Sequence, residues 1–407
     1  MKKIICFIFI LIVFPTTYYA FDFDIYSTNH IMYNMTTNKV ISANKENEKV
    51  SIASLTKIVT AITTLDLVQS LDDKVTITDE TLKGLKEANA SVAGFYISQK
   101  VTIEDLLYGL MLPSGADAAQ ALEIYLESEG YNLVEEMNKL VKKLNLVNTN
   151  FVNTTGLDEE NHYSTAYDIS QLLMYALENK NFKKIFTTST YLTSDTNITL
   201  HASYTQIMKR FEIDNKYIIG AKTGYTESAQ NCLASITNFN DTHFMLVTLG
   251  APRVNYFTHL IDANNIYKYV ENNYDYHLLF KKNEILKYVD VENATVKQYN
   301  VKAPTDYYIY AEKNFDKSDY QIKYKGETLL SPKNEIANIG TFDIFYKEKS
   351  LLDTIEVSYD GSLKYSVPGF IIENKTQIIN ITILIGGSLL ILIIILKIRN
   401  SKSQKKR

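Results

Sequence analysis

Apolar residues recur at helical spacing through much of the first half of the chain. Downstream of Ser54, apolar residues such as Ile58 and Leu65 fall on one face, which predicts a helix that begins near this serine. The same spacing predicts further helices over residues 103–110, 118–125, 133–144, 164–176 and 258–272. Ser164 is the candidate cap of the helix over residues 164–176, because a serine hydroxyl accepts hydrogen bonds from the first N–H groups of a helix.

Strand-like segments flank this helical part on both sides. The predicted strands are residues 30–34, 39–43, 217–221, 231–237 and 243–249. Turns are predicted at residues 36–38 and 238–241. Strands at both ends with helices between them predict one α+β domain over residues 21–274, with an antiparallel sheet assembled from both ends of the segment.

The pattern of apolar and polar residues changes again in residues 275–370 and predicts a small all-β domain. Residues 296–302, 307–310 and 354–359 show the alternation of strands, and turn motifs such as Tyr359-Asp360-Gly361 recur. No catalytic cluster is predicted in this segment.

The two ends of the chain predict its compartment. Residues 1–20 carry two lysines, an apolar run and then small and polar residues, the pattern of a secretory signal peptide. Tyr18 disfavours cleavage after Ala20, so cleavage at another position and retention as an anchor both stay open. Residues 378–396 contain no charge and would span about 28 Å as a helix, which predicts a transmembrane segment. A linker, residues 371–377, precedes it, and a basic tail, residues 397–407, follows it. Because basic clusters stay on the cytoplasmic side, we expect a single-pass protein of the cell membrane with its domains outside the cytoplasm.

Composition excludes some classes of function. The 407-residue chain has a formal net charge of −4, so no nucleic-acid partner is expected. Of its two cysteines, Cys6 lies in the predicted signal peptide, which leaves Cys232 alone and excludes an intramolecular disulfide in the processed protein. The sequence gives no indication of the oligomeric state.

Ser54 and Lys57 are candidate catalytic residues. They are three positions apart on one face of the predicted helix, so the amine can reach the hydroxyl. A serine is a weak nucleophile until a base takes its proton, and a lysine can be that base only if burial or a second cation lowers its pKa. Lys222 is a candidate for that cation, and the helix N-terminus at Ser54 favours a developing oxyanion. Taken alone, Lys57 also fits an ordinary solvated lysine.

A second motif, Ser-Gly-Ala at residues 114–116, follows an apolar run that ends in a turn. Ser114 can relay a proton between a lysine and a leaving group there. Taken alone, it also fits a helix cap.

A third motif, Lys-Thr-Gly at residues 222–224, lies on a predicted strand. A substrate peptide can pair with the edge of such a strand, main chain to main chain. Lys222 offers a positive charge, and Thr223 and Thr226 offer hydroxyls, for a C-terminal carboxylate. Taken alone, Lys222 also fits an edge-strand lysine that prevents aggregation.

The three motifs, taken in this order, are similar to those of the serine-type D-alanyl-D-alanine carboxypeptidases, the low-molecular-mass penicillin-binding proteins of peptidase family S11. The predicted location outside the cytoplasm agrees with this resemblance. The similarity covers most of residues 25–370 and extends to the stretches around the motifs. These stretches are residues 52–61, 106–115, 161–166 and 220–226.

The resemblance implies a penicillin-recognising fold, with the site between the sheet edge and the helical region and a β domain that lifts it off the membrane. It implies cleavage of the terminal D-Ala-D-Ala bond of peptidoglycan stem peptides, binding of β-lactams, and neither metal nor cofactor. The implied site residues are Ser54 (nucleophile), Lys57 (base), Ser114 (proton relay) and, around the substrate, Lys222, Thr223, Gly224, Tyr225 and Thr226. The backbone N–H groups of Ser54 and Tyr225 would form the oxyanion hole.

The chain departs from the family pattern at Ala116, where asparagine is usual. Loss of one positioned polar contact costs about 2–4 kcal/mol of transition-state stabilisation. The neighbouring Asp117 is expected to point elsewhere on the helix, and Arg253 is the candidate for a second carboxylate ligand. Two further hypotheses therefore stay open: a weakened or non-catalytic relative that binds or scaffolds the cell wall, and a β-lactamase, which the anchor and the extra β domain disfavour.

Overall fold

The chain folds into two compact units that divide between Tyr274 and Asp275. The computed structural model describes residue 21 and residues 23–194, 198–254, 257–332, 338–347 and 350–404. The predicted signal peptide, residues 1–20, lies outside the described residues.

A five-stranded antiparallel sheet organises the N-terminal unit. The strands of this unit are β1 (Asn29–Asn34), β2 (Lys39–Asn44), β3 (Lys74–Thr76), β4 (Lys100–Thr102), β5 (Thr190–Leu192), β6 (Thr199–His201), β7 (Gly220–Thr226), β8 (Gln230–Phe239) and β9 (Thr242–Ala251). The large sheet has the order β2-β1-β9-β8-β7, while β3 pairs with β4 and β5 with β6. Because β1 pairs with β9 along its whole length, the sheet is assembled from both ends of the unit, as predicted.

The turn between β8 and β9 has a local cause. Asn240 and Asp241 have φ angles of 49° and 57°, and the flanking Phe239 and Thr242 are paired. Two consecutive residues with positive φ are typical of a two-residue hairpin turn, and asparagine and aspartate tolerate this conformation better than most residues. Strand β7 is the last in the sheet order β2-β1-β9-β8-β7, so one of its edges is not paired in the sheet and faces the helical region.

The helices of this unit include one that is largely buried, around which several others pack. They are α1 (Thr56–Leu67), α2 (Asp79–Leu82), α3 (Ile103–Met111), α4 (Ala116–Ser128), α5 (Leu133–Lys143), α6 (Ala166–Glu178), α7 (Lys180–Phe186), α8 (Ser203–Arg210) and α9 (Thr258–Asn273). α1 is buried from Thr56 to Thr64 and packs against helices α3 to α7. Its first turn, which carries Lys57, is therefore held rigidly by the core.

Two local predictions are wrong in detail. Thr165, and not Ser164, caps α6: the Thr165 hydroxyl accepts from the N–H of Asp168 at 3.0 Å, while the Ser164 hydroxyl bonds to Thr149. The strand predicted over residues 217–221 begins only at Gly220 and continues to Thr226, because its pairing with β8 extends through the whole Lys-Thr-Gly motif.

The C-terminal unit is rich in short strands. They are β10 (Tyr274–Phe280), β11 (Ile285–Val291), β12 (Gln298–Lys302), β13 (Tyr307–Glu312), β14 (Tyr320–Gly326), β15 (Leu329–Leu330), β16 (Asn338–Tyr346) and β17 (Ser350–Ser358). Their sheets are β10-β13, β12-β11-β15 and β14-β16-β17. Two small apolar clusters hold them, one around Phe342 and Tyr359 and one around Phe280 and Ile344. The predicted α+β class, with a later β-rich part, is confirmed.

Two helices end the described chain. α10 (Val367–Glu373) and α11 (Lys375–Gln404) take up most of residues 371–377, the segment expected to be a linker. Within α11, the segment Lys375–Ile398 contains an 18-residue window with a mean hydropathy of 2.8, and it is long and apolar enough to cross a membrane. This helix contains the predicted span over residues 378–396.

Candidate active site

Ser54 and Lys57 meet at the start of α1. Ser54 lies in a 3₁₀ turn, Ala53–Leu55, that leads directly into the helix. The Lys57 Nζ is 3.0 Å from the Ser54 Oγ and also donates to the carbonyl oxygen of Thr155 at 2.5 Å. Because Lys57 is only 2% exposed, its amine is held in one place by the core.

The environment of Lys57 suits a base. Burial lowers the pKa of Lys57 to about 7, and the charge of Asp117 opposes this shift. An ordinary lysine is almost entirely protonated at neutral pH, whereas an amine with a pKa near 7 is neutral in a large fraction of molecules. Such an amine can accept the proton of the hydroxyl beside it.

A second lysine–serine pair lies in the same cluster. The Lys222 Nζ donates to the Ser114 Oγ and to the carbonyl oxygen of Thr223, both at 2.8 Å. Ser114 lies between α3 and α4 with a φ of 66°, a conformation that turns the chain sharply after Pro113. Burial, and then the charge of Lys57, lower the pKa of Lys222 well below its usual range. The three sequence motifs are therefore brought together by the fold.

The edge strand β7 approaches the nucleophile closely at Gly224. A Cβ on Gly224 would lie 3.0 Å from the backbone nitrogen of Ser54. This close approach explains why a glycine follows Lys222 and Thr223 on the strand. Thr223 is half-buried at the same edge. The main chain of β7 and the first turn of α1 thus face each other across a narrow gap.

The two residues after Gly224, Tyr225 and Thr226, contact different partners. Tyr225 is 37% exposed, and the guanidinium of Arg253 stacks on its ring, 3.9 Å from the ring centre. The Thr226 hydroxyl, expected to face substrate, donates to the Asp158 carboxylate at 2.8 Å and accepts from the Ala229 N–H. Arg253 is therefore brought to the end of the motif strand, whereas the proton of the Thr226 hydroxyl is directed to Asp158.

Ala116 and Asp117 begin α4 beside the cluster. Ala116 is 2% exposed, and its N–H donates to the carbonyl oxygen of Ser91 at 2.7 Å. The Asp117 carboxylate accepts from the backbone N–H groups of residues 93–95 at 2.8–3.2 Å. As expected, Asp117 does not take the place of the missing asparagine amide, since its oxygens hold the neighbouring segment.

Sequence reasoning did not identify the segment that supplies the Thr155 carbonyl. The Asn153 side chain accepts from the N–H groups of Thr155 and Gly156 at 3.2 and 2.8 Å, which folds the segment into a tight turn. Gly156 has a φ of 80°, and a Cβ there would overlap the carbonyl oxygen of Ala53. The Asn-x-x-Gly pattern is typical of such a turn. Its role as a backbone acceptor for Lys57 has no side-chain pattern that the sequence could reveal.

Comparison with known proteins places this arrangement in context. The family model described as D-alanyl-D-alanine carboxypeptidase, peptidase family S11, matches residues 16–253. D-alanyl-D-alanine carboxypeptidase DacF of Bacillus subtilis is 28% identical over 82% of this chain and 85% of its own length. DacD of Escherichia coli is 24% identical over 84% of this chain and 89% of its own length.

Solved structures agree with the sequence comparison. The Streptomyces K15 DD-transpeptidase aligns with a TM-score of 0.56 and 27% identity over 61% of this chain and 98% of that one. Penicillin-binding protein 5 of Haemophilus influenzae covers 83% of this chain and 98% of its own, with a TM-score of 0.64 and 20% identity, which bears on the fold alone. The penicillin-recognising fold that the sequence motifs imply is confirmed.

Proposed function

The chain belongs to the D-alanyl-D-alanine carboxypeptidase family of serine peptidases, and we propose that Ser54 performs its reaction as the acylated nucleophile. The reaction is hydrolysis of the terminal D-Ala-D-Ala bond of peptidoglycan stem peptides. The observation that carries the proposal for Ser54 is the 3.0 Å contact between its Oγ and the Lys57 amine, whose pKa burial lowers to about 7.

Acylation begins with proton transfer from Ser54 to Lys57. The neutral amine accepts the hydroxyl proton while the Oγ attacks the carbonyl carbon of the penultimate D-alanine, forming one C–O bond. The charge that develops on the carbonyl oxygen is stabilised by the backbone N–H groups of Ser54, in the 3₁₀ turn before α1, and of Tyr225, on β7. Lys57 then holds the proton that the leaving amine requires.

Collapse of this intermediate breaks the peptide C–N bond. The proton on Lys57 is delivered to the nitrogen of the terminal D-alanine, and the relay is assigned to the Ser114 hydroxyl, which the Lys222 Nζ holds at 2.8 Å. The free amino acid leaves, and the penultimate residue stays as an ester on Ser54. Attack by water with Lys57 as base reverses the proton path, releases the shortened peptide and restores the hydroxyl.

Substrate positioning is assigned to the edge of β7. The peptide adds as a further strand beside residues 222–226, next to Gly224, which lies close to the backbone of Ser54. Its C-terminal carboxylate faces Lys222 and the Thr223 hydroxyl, with Arg253 held near by its stacking on Tyr225. Thr226 fixes the end of the strand through the hydrogen bond of its hydroxyl to the Asp158 carboxylate.

The comparisons do not support the hypothesis of a non-catalytic relative. The retained contacts, Lys57 with Ser54 and Lys222 with Ser114, favour activity, since a protein that only binds the wall has no use for buried amines. We further propose that the protein binds β-lactams as substrate mimics and trims the wall, which limits cross-linking and contributes to cell shape.

Localisation completes the proposal. We propose that residues 1–20 direct export, that α11 crosses the cytoplasmic membrane once, and that the chain between them lies outside the cytoplasm. The basic residues from Lys397 to the C-terminus support this orientation, because basic segments stay on the cytoplasmic side.

The test uses the full chain in isolated membranes. Wild type and Ser54→Ala are incubated with a fluorescent penicillin, and release of D-alanine from a pentapeptide is measured in parallel. We expect one covalent label and D-alanine release from wild type, and neither from Ser54→Ala. Equal labelling of both proteins would overturn the assignment of Ser54, and labelling without D-alanine release would favour the non-catalytic relative.

A further inference from the structure

A chain of buried hydrogen bonds ends at the peptide bond before Ser54. The N–H of Val152 donates to the Nδ1 of His162 at 3.2 Å. The Nε2 of His162 is 2.8 Å from the Thr56 Oγ1, and this hydroxyl is 2.9 Å from the carbonyl oxygen of Ala53. Both side chains are buried, His162 at 6% and Thr56 at 0% exposure.

The direction of every proton in this chain follows from its first bond. Because Nδ1 accepts from a backbone N–H, the neutral ring must carry its proton on Nε2. Nε2 then donates to Thr56, which leaves the hydroxyl proton free to donate to Ala53. Burial lowers the pKa of His162 to about 4, so the ring is neutral at physiological pH and the direction is fixed.

The carbonyl of Ala53 belongs to the same peptide group as the N–H of Ser54. A peptide group is planar, and its C=O and N–H point in opposite directions. A donor that fixes the C=O of Ala53 therefore also fixes the direction of the Ser54 N–H. That N–H is one of the two oxyanion donors of the proposed mechanism, and a Cβ on Gly224 would lie 3.0 Å from its nitrogen.

This peptide group needs outside support. Ala53 has a φ of 47°, a left-handed conformation that a residue with a Cβ rarely adopts. Gly156 packs directly against its carbonyl, and a Cβ at position 156 would overlap that oxygen. Uncommon backbone conformations persist where the surrounding structure holds them, and they concentrate at active sites.

We propose that His162 and Thr56 are positioning residues that aim the Ser54 N–H at the oxyanion. They touch no substrate atom and act through the Ala53 carbonyl. This inference rests on the proposed role of Ser54 and its N–H. It gives a function to the His162 segment, residues 161–166, which the sequence comparison with the family singles out without a role.

The test separates the rate of acylation from the number of folded sites. Thr56→Val keeps the shape of the side chain and removes the hydroxyl, whereas Thr56→Ser keeps the hydroxyl. With the full chain and a fluorescent penicillin, the labelling end point counts competent sites and the rate constant reports the chemistry. We expect Thr56→Val to lower the rate about tenfold to a hundredfold at an unchanged end point, and Thr56→Ser to stay near wild type. On a pentapeptide, kcat should fall while KM stays constant.

His162→Leu extends the test to the residue that precedes Thr56 in the series of hydrogen bonds. Its loss should match that of Thr56→Val, and the double variant should lose little more than either single one, because both act through one hydrogen-bonded unit. Thr64→Val is the matched control. Thr64 is equally buried on α1, but its hydroxyl donates to the Thr60 carbonyl within the helix, so its rate should be unchanged.

The outcomes distinguish this inference from the function on which it rests. Equal labelling of wild type and Ser54→Ala would overturn both. Specific labelling of wild type with an unchanged rate in Thr56→Val would overturn the positioning role alone. A comparable rate loss in Thr64→Val, or no recovery in Thr56→Ser, would also overturn it, since either result indicates a packing defect of α1.

Discussion

At the scale of single residues, Ala116 lacks the side-chain amide that is usual at this position in the family, and backbone contacts of its neighbours hold the start of α4. The Ala116 N–H is held by the Ser91 carbonyl, and Asp117 fixes residues 93–95 through several backbone bonds. The start of α4 is therefore determined by contacts that an asparagine side chain would not supply. The absent amide should lower the rate of the chemical step and leave the fold and the arrangement of Lys57 intact.

Restoring the amide tests this argument. We expect Ala116→Asn to raise kcat by about 10²–10³-fold, because one positioned polar contact is worth that much in a closed site. Ala116→Leu adds a side chain with the same number and branching of heavy atoms as asparagine but without the amide, and it serves as the control. Turnover of a pentapeptide is the measurement. Equal effects of the two substitutions would show that volume, and not hydrogen bonding, matters at this position.

The pKa of Lys57 predicts how activity depends on pH. Only the neutral amine can accept the Ser54 proton, and burial lowers the pKa of Lys57 to about 7. The neutral fraction, and with it the acylation rate, should rise about tenfold between pH 6 and pH 8 and then level off. The labelling rate with a fluorescent penicillin measures this directly. A flat profile would exclude Lys57 as the base, and Lys57→Arg should abolish labelling, because a guanidinium keeps its proton.

Prediction of the site from the sequence succeeded for the side chains that form motifs in a characteristic order along the chain. Ser54, Lys57, Ser114 and Lys222 are found from their motifs, and the fold brings them together. Thr155 was not predicted, because it contributes a backbone carbonyl and any residue has one. Pairing of the Thr226 hydroxyl with Asp158 depends on a contact across 68 positions of sequence, which no local pattern contains.

At the scale of elements, the turn at residues 153–156 supports the nucleophile from outside α1. Gly156 serves two purposes there, a positive φ and contact with the Ala53 carbonyl. These two can be separated, since Gly130 has a similar φ of 90° with nothing near its missing Cβ.

Replacing Gly130 and Gly156 by alanine separates the effect of the positive φ from the effect of the contact with Ala53. Gly130→Ala should cost about 1–2 kcal/mol of unfolding free energy, the strain of left-handed backbone alone. Gly156→Ala adds overlap with Ala53 and should cost about 2–5 kcal/mol, together with a slower acylation. Denaturant unfolding and penicillin labelling give both numbers. Similar losses for the two variants would mean that the contact with Ala53 is unimportant.

Elements with strong local patterns were predicted best. α3 was expected over residues 103–110 and is Ile103–Met111, because Thr102 and Asp105 form a capping box ahead of an apolar stripe. β7 was placed too early, since Gly220 and Gly224 weaken its local strand pattern and its pairing with β8 determines its length. Ser164 and Thr165 are adjacent hydroxyls, so only tertiary contacts decide which of them caps α6.

At the scale of the whole molecule, α11 is the feature that the enzyme chemistry does not require. Its residues 378–396 carry no charge and are predominantly apolar on all faces, and none of the segment Lys375–Ile398 is buried in the protein. A helix that is hydrophobic all round needs an apolar environment, which a bilayer supplies. α10 differs, because its Gly369 packs against Asn293 and ties it to the β-rich unit.

Ending the chain after Asn374 should therefore release the protein while both folded units stay intact. We expect the full chain to remain in membranes washed with alkaline carbonate and the truncated chain to leave them, still labelled by a fluorescent penicillin. A full-length variant with Leu390→Lys and Ile391→Lys is the matched control. Each lysine at the helix centre costs about 2.5–3.5 kcal/mol of insertion, so this variant should be released like the truncated chain. Retention of the truncated chain in the washed membranes would place the anchor elsewhere and make residues 1–20 the next segment to delete.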